Sequence, residues 1–332
     1  MSEIKVNSIS SLNGANGPVI SGIATMVSSG AMSLPRGDTA YRDGGGRGMF
    51  AGGSGTPTWL AQISYIEISS TGNAFTWGDL TKSSYEGGGL GNRTRALFAN
   101  GYAVPDTSNI DYKEFASSGD ASKFGDLVSA SRTTETCSNQ TRGLFAGSES
   151  PTKNNVIQYA TISTLGNTQD FGDLTEKRGL GTGLSSPTRG VFGGGRTPTT
   201  LNTLDYVTIS SLGDAIDFGD TSHTRFNSGA AASPTRGLIA GAATELTIDY
   251  ITIATLGNAI DFGDLTLARN PKGVSNSIRG VFGTGNAPSP TGQNNVIDYV
   301  TIATLGNALD FGDNTQVGHN GMSASNLHGG LR

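Results

Sequence analysis

Six times along the chain the same three phrases return in the same order, and this recurrence limits the fold more than any other feature. The first phrase is an arginine followed by small and apolar residues, at Arg47, Arg95, Arg142, Arg189, Arg236 and Arg279. The second centres on a tyrosine, at Tyr65, Tyr112, Tyr159, Tyr206, Tyr250 and Tyr299. The third is aromatic-Gly-Asp, ending at Asp79, Asp126, Asp173, Asp220, Asp264 and Asp313. Successive arginines lie 43 to 48 residues apart, a period shared by propeller blades and helical solenoids. Helices are excluded because Gly or Pro interrupts every unit at short intervals. The apolar runs are short and rich in Val, Ile, Thr, Tyr and Phe, as strands are. Fifty glycines with only 15% charged residues fit many short strands joined by tight turns.

Each unit divides into four runs, a to d. In the fourth unit, strand a lies near 180–185, a Ser-Pro-Thr-Arg turn fills 186–189, strand b spans 190–194, strand c 204–210 and strand d 215–220. Strand c is apolar on both faces (Val296 and Val300 against Ile297 and Tyr299). Such a sheet needs cover on both sides, and four short strands do not stand alone. The first unit begins almost directly at strand b, while the tail Gly321-Met-Ser-Ala-Ser-Asn326 matches the strand a stretch Gly273-Val-Ser-Asn-Ser277 with no strand b after it. The tail, 317–332, is therefore expected to complete the first blade and remove the ring's open edge. The expectation is an all-β, six-bladed propeller over 44–332, with blades near 47–81, 86–127, 133–174, 180–221, 228–265 and 272–315. Residues 1–43 lie outside the repeat register and read as an N-terminal attachment or assembly arm.

The chemistry-bearing residues are sparse. His223, His319 and His328 are far apart with no Cys or His at ligand spacing, so no metal and no cofactor are expected. No serine sits in a nucleophile elbow, and no enzyme activity is expected. Cys137 is the one cysteine, so no intramolecular disulfide forms. A net charge of −5 argues against nucleic acid as a partner. No run of about 18 apolar residues exists, and the N-terminus lacks the apolar core of a signal peptide, so no membrane insertion is expected. The repeated aspartates are expected to accept backbone N–H bonds, and the repeated arginines to meet such an aspartate or carbonyls between blades.

Features present in all six units belong to the scaffold, so ligand specificity is expected where the units differ. The a–b and c–d turns are short and alike and share one face. The b–c and d–a loops vary and share the other. The candidate ligand-binding residues are Trp59, Tyr102, Asp106, Lys153, Arg196, Asn286 and Gln293 from b–c loops, and Tyr85, His223, Arg225 and Phe226 from d–a loops.

Two resemblances add to this reading. The glycine pairs Gly52-Gly53 and Gly193-Gly194, the strand c tyrosine and the strand d aromatic resemble a kelch repeat, with Trp77 keeping the kelch tryptophan. Asn100-Gly101, Gly147-Ser148, Gly241-Ala242 and Thr284-Gly285 depart from it. The words Arg189-Gly-Val-Phe-Gly-Gly194, Val296-Ile-Asp-Tyr-Val-Thr-Ile302 and Gly257-Asn-Ala-Ile-Asp-Phe-Gly-Asp264 resemble those in structural proteins of tailed bacteriophages, especially marine and cyanobacterial ones. The opening Glu3-Ile-Lys-Val-Asn7, with Gly17-Pro-Val-Ile-Ser-Gly22, resembles tail-fibre N-termini from those phages. This resemblance implies a virion protein, made in the host cytoplasm and released by lysis. It implies a tail fibre or similar appendage, a homo-oligomer such as a trimer, joined to other virion proteins through residues 1–43. The implied ligand is a host surface glycan or protein. Three alternatives stay open: a capsid decoration or neck protein with no receptor role, a glycan-degrading enzyme, and a cellular kelch-type scaffold.

Overall fold

The structure, a computed structural model, describes residues 46–331 except 56–57, 104, 243 and 291, together with three short strands ahead of them. Those three, Val19–Ile20, Ala24–Met26 and Met32–Ser33, pair antiparallel in that order. The rest of the arm expected over 1–43 lies outside the described residues.

The repeats form six four-stranded antiparallel sheets. The innermost strands are Gly88–Gly91, Glu135–Ser138, Thr182–Ser185, Gly229–Ala232, Lys272–Ser275 and Met322–Ser325. Each touches the next, and Met322–Ser325 touches Gly88–Gly91, so the ring is closed. Closure comes from the C-terminal strand: Met322 pairs with Ala51 and Ser325 with Gly48 in the strand Arg47–Ser54. The first blade thus takes its inner strand from one end of the repeat region and its other three from the opposite end. Beyond that strand the tail turns under the ring, where Leu327 and Leu331 are buried. The fourth blade's inner strand starts at Thr182 rather than near 180, and the sixth blade's outer strand runs on to Gly318.

Each interface between blades holds an apolar cluster, such as Met49, Ile63, Phe98 and Phe115 between the first two. Burying side chains of this size stabilises by roughly 1.5–3 kcal/mol each. Within a blade the repeated tyrosine meets the strand d aromatic edge-on, as Tyr206 does Phe218 at 6.1 Å between centroids. The repeated arginine lies over the same tyrosine, with Arg189 4.4 Å from the Tyr206 ring centre.

Every repeated arginine also reaches the next blade. Arg95 donates to Ile162 O at 3.0 Å, Arg142 to Ile209 O at 3.0 Å, Arg189 to Ile253 O at 2.8 Å and Arg236 to Ile302 O at 2.9 Å. Arg47 to Phe115 O and Arg279 to Ile68 O complete the circle. The aromatic-Gly-Asp phrase is a docking edge for the following blade. Gly213 N donates to Phe171 O, Ala215 N to Asp173 O, and Asp173 N to the Asp214 carboxylate at 3.0 Å. The same three bonds recur between all neighbouring blades, with Asp120, Asn167, Asn258, Asn307 and Asn73 in the place of Asp214. The aspartates before the strand c tyrosine accept backbone N–H bonds as expected, Asp205 from Thr175 N and Asp249 from Ser222 N, but the strand d aspartates correct that expectation. In this edge contact the strand d aspartate contributes its backbone N–H, and the accepting side chain belongs to the next blade's turn. Gly172 shows why the phrase needs glycine: its φ is +151°, and a Cβ there would lie 2.4 Å from Gly213 O. Each outer strand therefore has part of its edge occupied by a neighbour.

Candidate functional site

The face built from b–c and d–a loops carries the variation, and backbone bonds fix its loops to one another. Tyr85 and Tyr102 bond reciprocally at 3.2 and 2.9 Å. Isolated bridges join Arg132 to Ser150, Gly179 to Arg196 and Ser54 to His319 in the same way, and Asn270 N donates to Asn286 O.

Trp59, Tyr85 and Tyr102 form one aromatic cluster, with centroid separations of 5.3, 5.1 and 5.4 Å. All three are half-buried, so they share their faces with one another and keep an outer surface. Arg132 lies 5.3 Å over the Tyr102 ring and is paired with Glu86 at 3.3 Å, with Asp106 at 3.8 Å. Ser150 Oγ donates to Asp106 at 2.7 Å. Burial pushes the Glu86 carboxyl above its usual range while Arg132 pulls it back, and burial likewise raises the Tyr85 hydroxyl. Next along the face, Glu149 pairs with Arg196 at 3.1 Å and Lys153 at 3.3 Å. Arg196 lies 5.6 Å from the Phe226 ring centre. These contacts make an arc of alternating aromatic, cationic and acidic groups over several blades.

Seven of the sequence candidates fall on this arc: Trp59, Tyr85, Tyr102, Asp106, Lys153, Arg196 and Phe226. The others do not. His223 is exposed and contacts its neighbour Ser222 at 2.8 Å. Asn286 and Gln293 pair with each other at the tip of two long strands in the sixth blade. Arg225 is a correction: its side chain is buried, paired with Asp249 at 2.7 Å and bonded to Ile239 O. It holds the blade together and is not offered to a ligand. Burial lowers its pKa, with Asp249 opposing.

Glu86, Arg132 and Glu149 were not singled out from the sequence, although a signal exists. Aligning the d–a loops places Tyr85, Arg132, Gly179, Phe226, Asn270 and His319 in one column, and no two adjacent units agree there. A second alignment signal concerns the buried aspartates before the strand c tyrosine. Asp205, Asp249 and Asp298 each take a d–a arginine, Arg178, Arg225 and Arg269, at 3.0, 2.7 and 2.8 Å. Blade three has Gln158 in that position and Ser131 in the loop.

The central channel has two unlike ends. On the uniform face it is stoppered by the tail. His328 Nε2 donates to Gly91 O at 2.8 Å, and its Nδ1 accepts from Gly330 N at 3.1 Å, which fixes a neutral imidazole. Burial pushes its pKa down to about 4. On the variable face the mouth is polar, with Thr134, Glu135, Thr182, Ser228 and Lys272 around a cavity of about 70 Å³. Glu135 is buried and bonded to Arg178 at 2.9 and 3.4 Å. Burial raises its pKa to about 7 against the pull of that arginine. Among the described residues no group of His, Cys, Asp and Glu is placed to hold a metal ion. The Cys137 thiol is buried, which raises its pKa and makes it a poor nucleophile.

No protein-family model matches the chain, and no curated protein matches it.

Proposed function

We propose that this protein is a non-enzymatic adhesin of a tailed bacteriophage, a tail fibre or similar appendage, that binds a host surface glycan through the variable face of its propeller. The observation that carries the binding role is the half-buried cluster of Trp59, Tyr85 and Tyr102 set beside the Arg132–Glu86 and Arg132–Asp106 pairs. Aromatic rings give a sugar an apolar platform, and adjacent charged groups orient its hydroxyls. The virion assignment rests on the sequence resemblance to phage structural proteins, with residues 1–43 as the attachment arm and many copies multiplying weak contacts.

The test is binding of the purified full chain to host cells and to immobilised cell-surface polysaccharide. Trp59→Ala and Tyr102→Ala should each weaken binding at least several-fold while the melting temperature stays within a few degrees. Intact binding by the double variant would overturn the placement of the site. Turnover of the polysaccharide by the pure protein would overturn the non-enzymatic reading.

A further inference from the structure

We propose that the open mouth of the central channel is a site for one small oxyanion, a carboxylate or phosphate group carried by the ligand, held by Lys272 and the Thr134 hydroxyl. That the carrier is a glycan rests on the function proposed above; the oxyanion site itself does not.

The argument begins with what varies around the ring. The residue that opens each inner strand is Met322, Gly88, Glu135, Thr182, Gly229 or Lys272. Two of these six equivalent positions carry charge, Glu135 and Lys272, and Lys272 is the one cation among them. Lys272 is half-buried and lines the mouth. Each carboxylate near it already has a cation: Glu135 has Arg178 and Glu86 has Arg132. Lys272 makes no hydrogen bond or ion pair among the described residues, and Glu86 acts on it only through space. Thr134 is 7% exposed, and its Oγ1 has no hydrogen-bond partner. A crowded, unpaired ammonium and an unpaired hydroxyl lining one cavity are complementary to an anion that accepts hydrogen bonds.

The backbone around the mouth is shaped to the same end. Glu86, Thr133, Leu180, Asn227 and Asn320 all hold φ between +53° and +65°, a strained conformation for most side chains. It turns their amides into a belt: Glu86 N donates to Asn320 O, Thr133 N to Glu86 O, Leu180 N to Thr133 O and Asn227 N to Leu180 O. The sixth blade is one residue shorter here and brings Pro271 next to Lys272, and proline has no N–H to donate. The belt is therefore interrupted beside Lys272. Desolvation holds the Lys272 pKa down to about 8, with Glu86 opposing, so the side chain is mostly charged at neutral pH. A cavity of about 70 Å³ takes a carboxylate or phosphate group and excludes a whole sugar ring, which would rest on the rim.

The experiment is calorimetric titration of the full chain with inorganic phosphate, galacturonate and galactose, together with lysine side-chain NMR. Phosphate or galacturonate should bind with one-to-one stoichiometry and shift the Lys272 resonance. Galactose should not shift it. Lys272→Met should weaken oxyanion binding at least tenfold, Thr134→Val several-fold, and Lys272→Arg should retain it. Binding of galacturonate alone identifies a sugar acid, and of phosphate alone a phosphorylated ligand. An unmoved Lys272 resonance in the wild-type chain with both anions overturns the proposal, and so does equal affinity in a normally folded Lys272→Met variant. Trp59→Ala should leave phosphate binding unchanged. Oxyanion binding without cell binding would refute the glycan reading and leave this site standing. Cell binding without oxyanion binding would do the reverse.

Discussion

Replacing Arg269 should reveal how the blades use buried charge. Arg269 and Asp298 are both fully buried, 2.8 Å apart. Arg269 also donates to Thr284 O at 2.9 Å, Phe282 O at 3.0 Å and Leu267 O at 3.1 Å. Asp298 keeps two further bonds, from Thr266 N at 3.2 Å and Thr266 Oγ1 at 2.6 Å. Arg269→Ser leaves a buried carboxylate without a counter-ion and takes the guanidinium donor from three carbonyls. Coulomb attraction at an effective dielectric of 20 is ~4 kcal/mol for a pair at about 4 Å, and breaking a buried pair costs ~3–5 kcal/mol. Asp298→Gln alone strands the guanidinium instead and should cost a similar amount. The chain supplies its own control in the third blade. There Gln158 Oε1 accepts from Val128 N at 2.8 Å and Thr168 Oγ1 at 2.6 Å, and the loop carries Ser131. The double variant Arg269→Ser/Asp298→Gln copies the Gln–Ser pair, with Ala308 standing where the third blade has Thr168.

The assay is urea unfolding of the four proteins in a double-mutant cycle. Each single variant should lose about 3–5 kcal/mol. The double variant should recover about 2 kcal/mol relative to the sum of the singles, within the range seen for contacting residues. Single losses under about 1 kcal/mol would show that the charges are not effectively buried. A coupling below about 0.5 kcal/mol would show that the two side chains act independently. Either result refutes the reasoning.

Three further outcomes follow from the geometry. His328 has a folded pKa depressed to about 4 from an ordinary value of 6.5, so the unfolded chain binds the extra proton between those values; stability should fall as pH drops from 6.5 towards 4, by on the order of 2 kcal/mol, and a His328→Gln variant should have a flatter pH profile by thermal melting. Removing residues 319–332 deletes the strand Met322–Ser325 that pairs with Arg47–Ser54, so the exposed edge should drive association visible by size-exclusion chromatography; a stable monomer of unchanged melting temperature would contradict the closure. Gly172→Ala must hold φ +151° and place a Cβ 2.4 Å from Gly213 O, which should cost more than about 1 kcal/mol, measured by the same melts.

The architecture was readable because repetition exposes it. Six landmark sets predict six blades, and a strand a phrase at the end with no strand b after it predicts the closure by Met322–Ser325. The contact made by each repeated arginine was half readable. A cation at the start of strand b needs acceptors, and the acceptors are carbonyls of the next blade, which spacing alone does not select over a carboxylate. The strand d aspartates misled because the bond there uses the backbone N–H, and sequence shows side chains only. Arg225 was misread because a cation in a loop reads as solvent-facing unless its partner is found. Asp249 lies 24 residues away, and the matching pairs Arg178–Asp205 and Arg269–Asp298 show that alignment of the units would have found it. Arg132 and Lys272 needed the same alignment, since each stands out only against the residues at its equivalent positions.

The division between constant and variable columns has a physical consequence for binding. The constant columns use their hydrogen bonds within and between blades, as the arginine ring and the turn-to-edge bonds do. What remains free to vary is the d–a column that starts at Tyr85 and Arg132, the adjoining mouth residues such as Thr134 and Lys272, and the facing b–c residues. Backbone bridges such as Tyr85–Tyr102 and Arg132–Ser150 already hold those loops in place. A ligand meeting them therefore does not have to immobilise flexible chain, a cost of about 0.5–1.5 kcal/mol for each side chain ordered at an interface. Sequence can change at these positions while the surface stays rigid. For the receptor-binding role proposed above, that combination would let specificity drift from one host surface to another without loss of the fold, because a substitution in a variable column leaves the arginine ring and the turn-to-edge bonds intact.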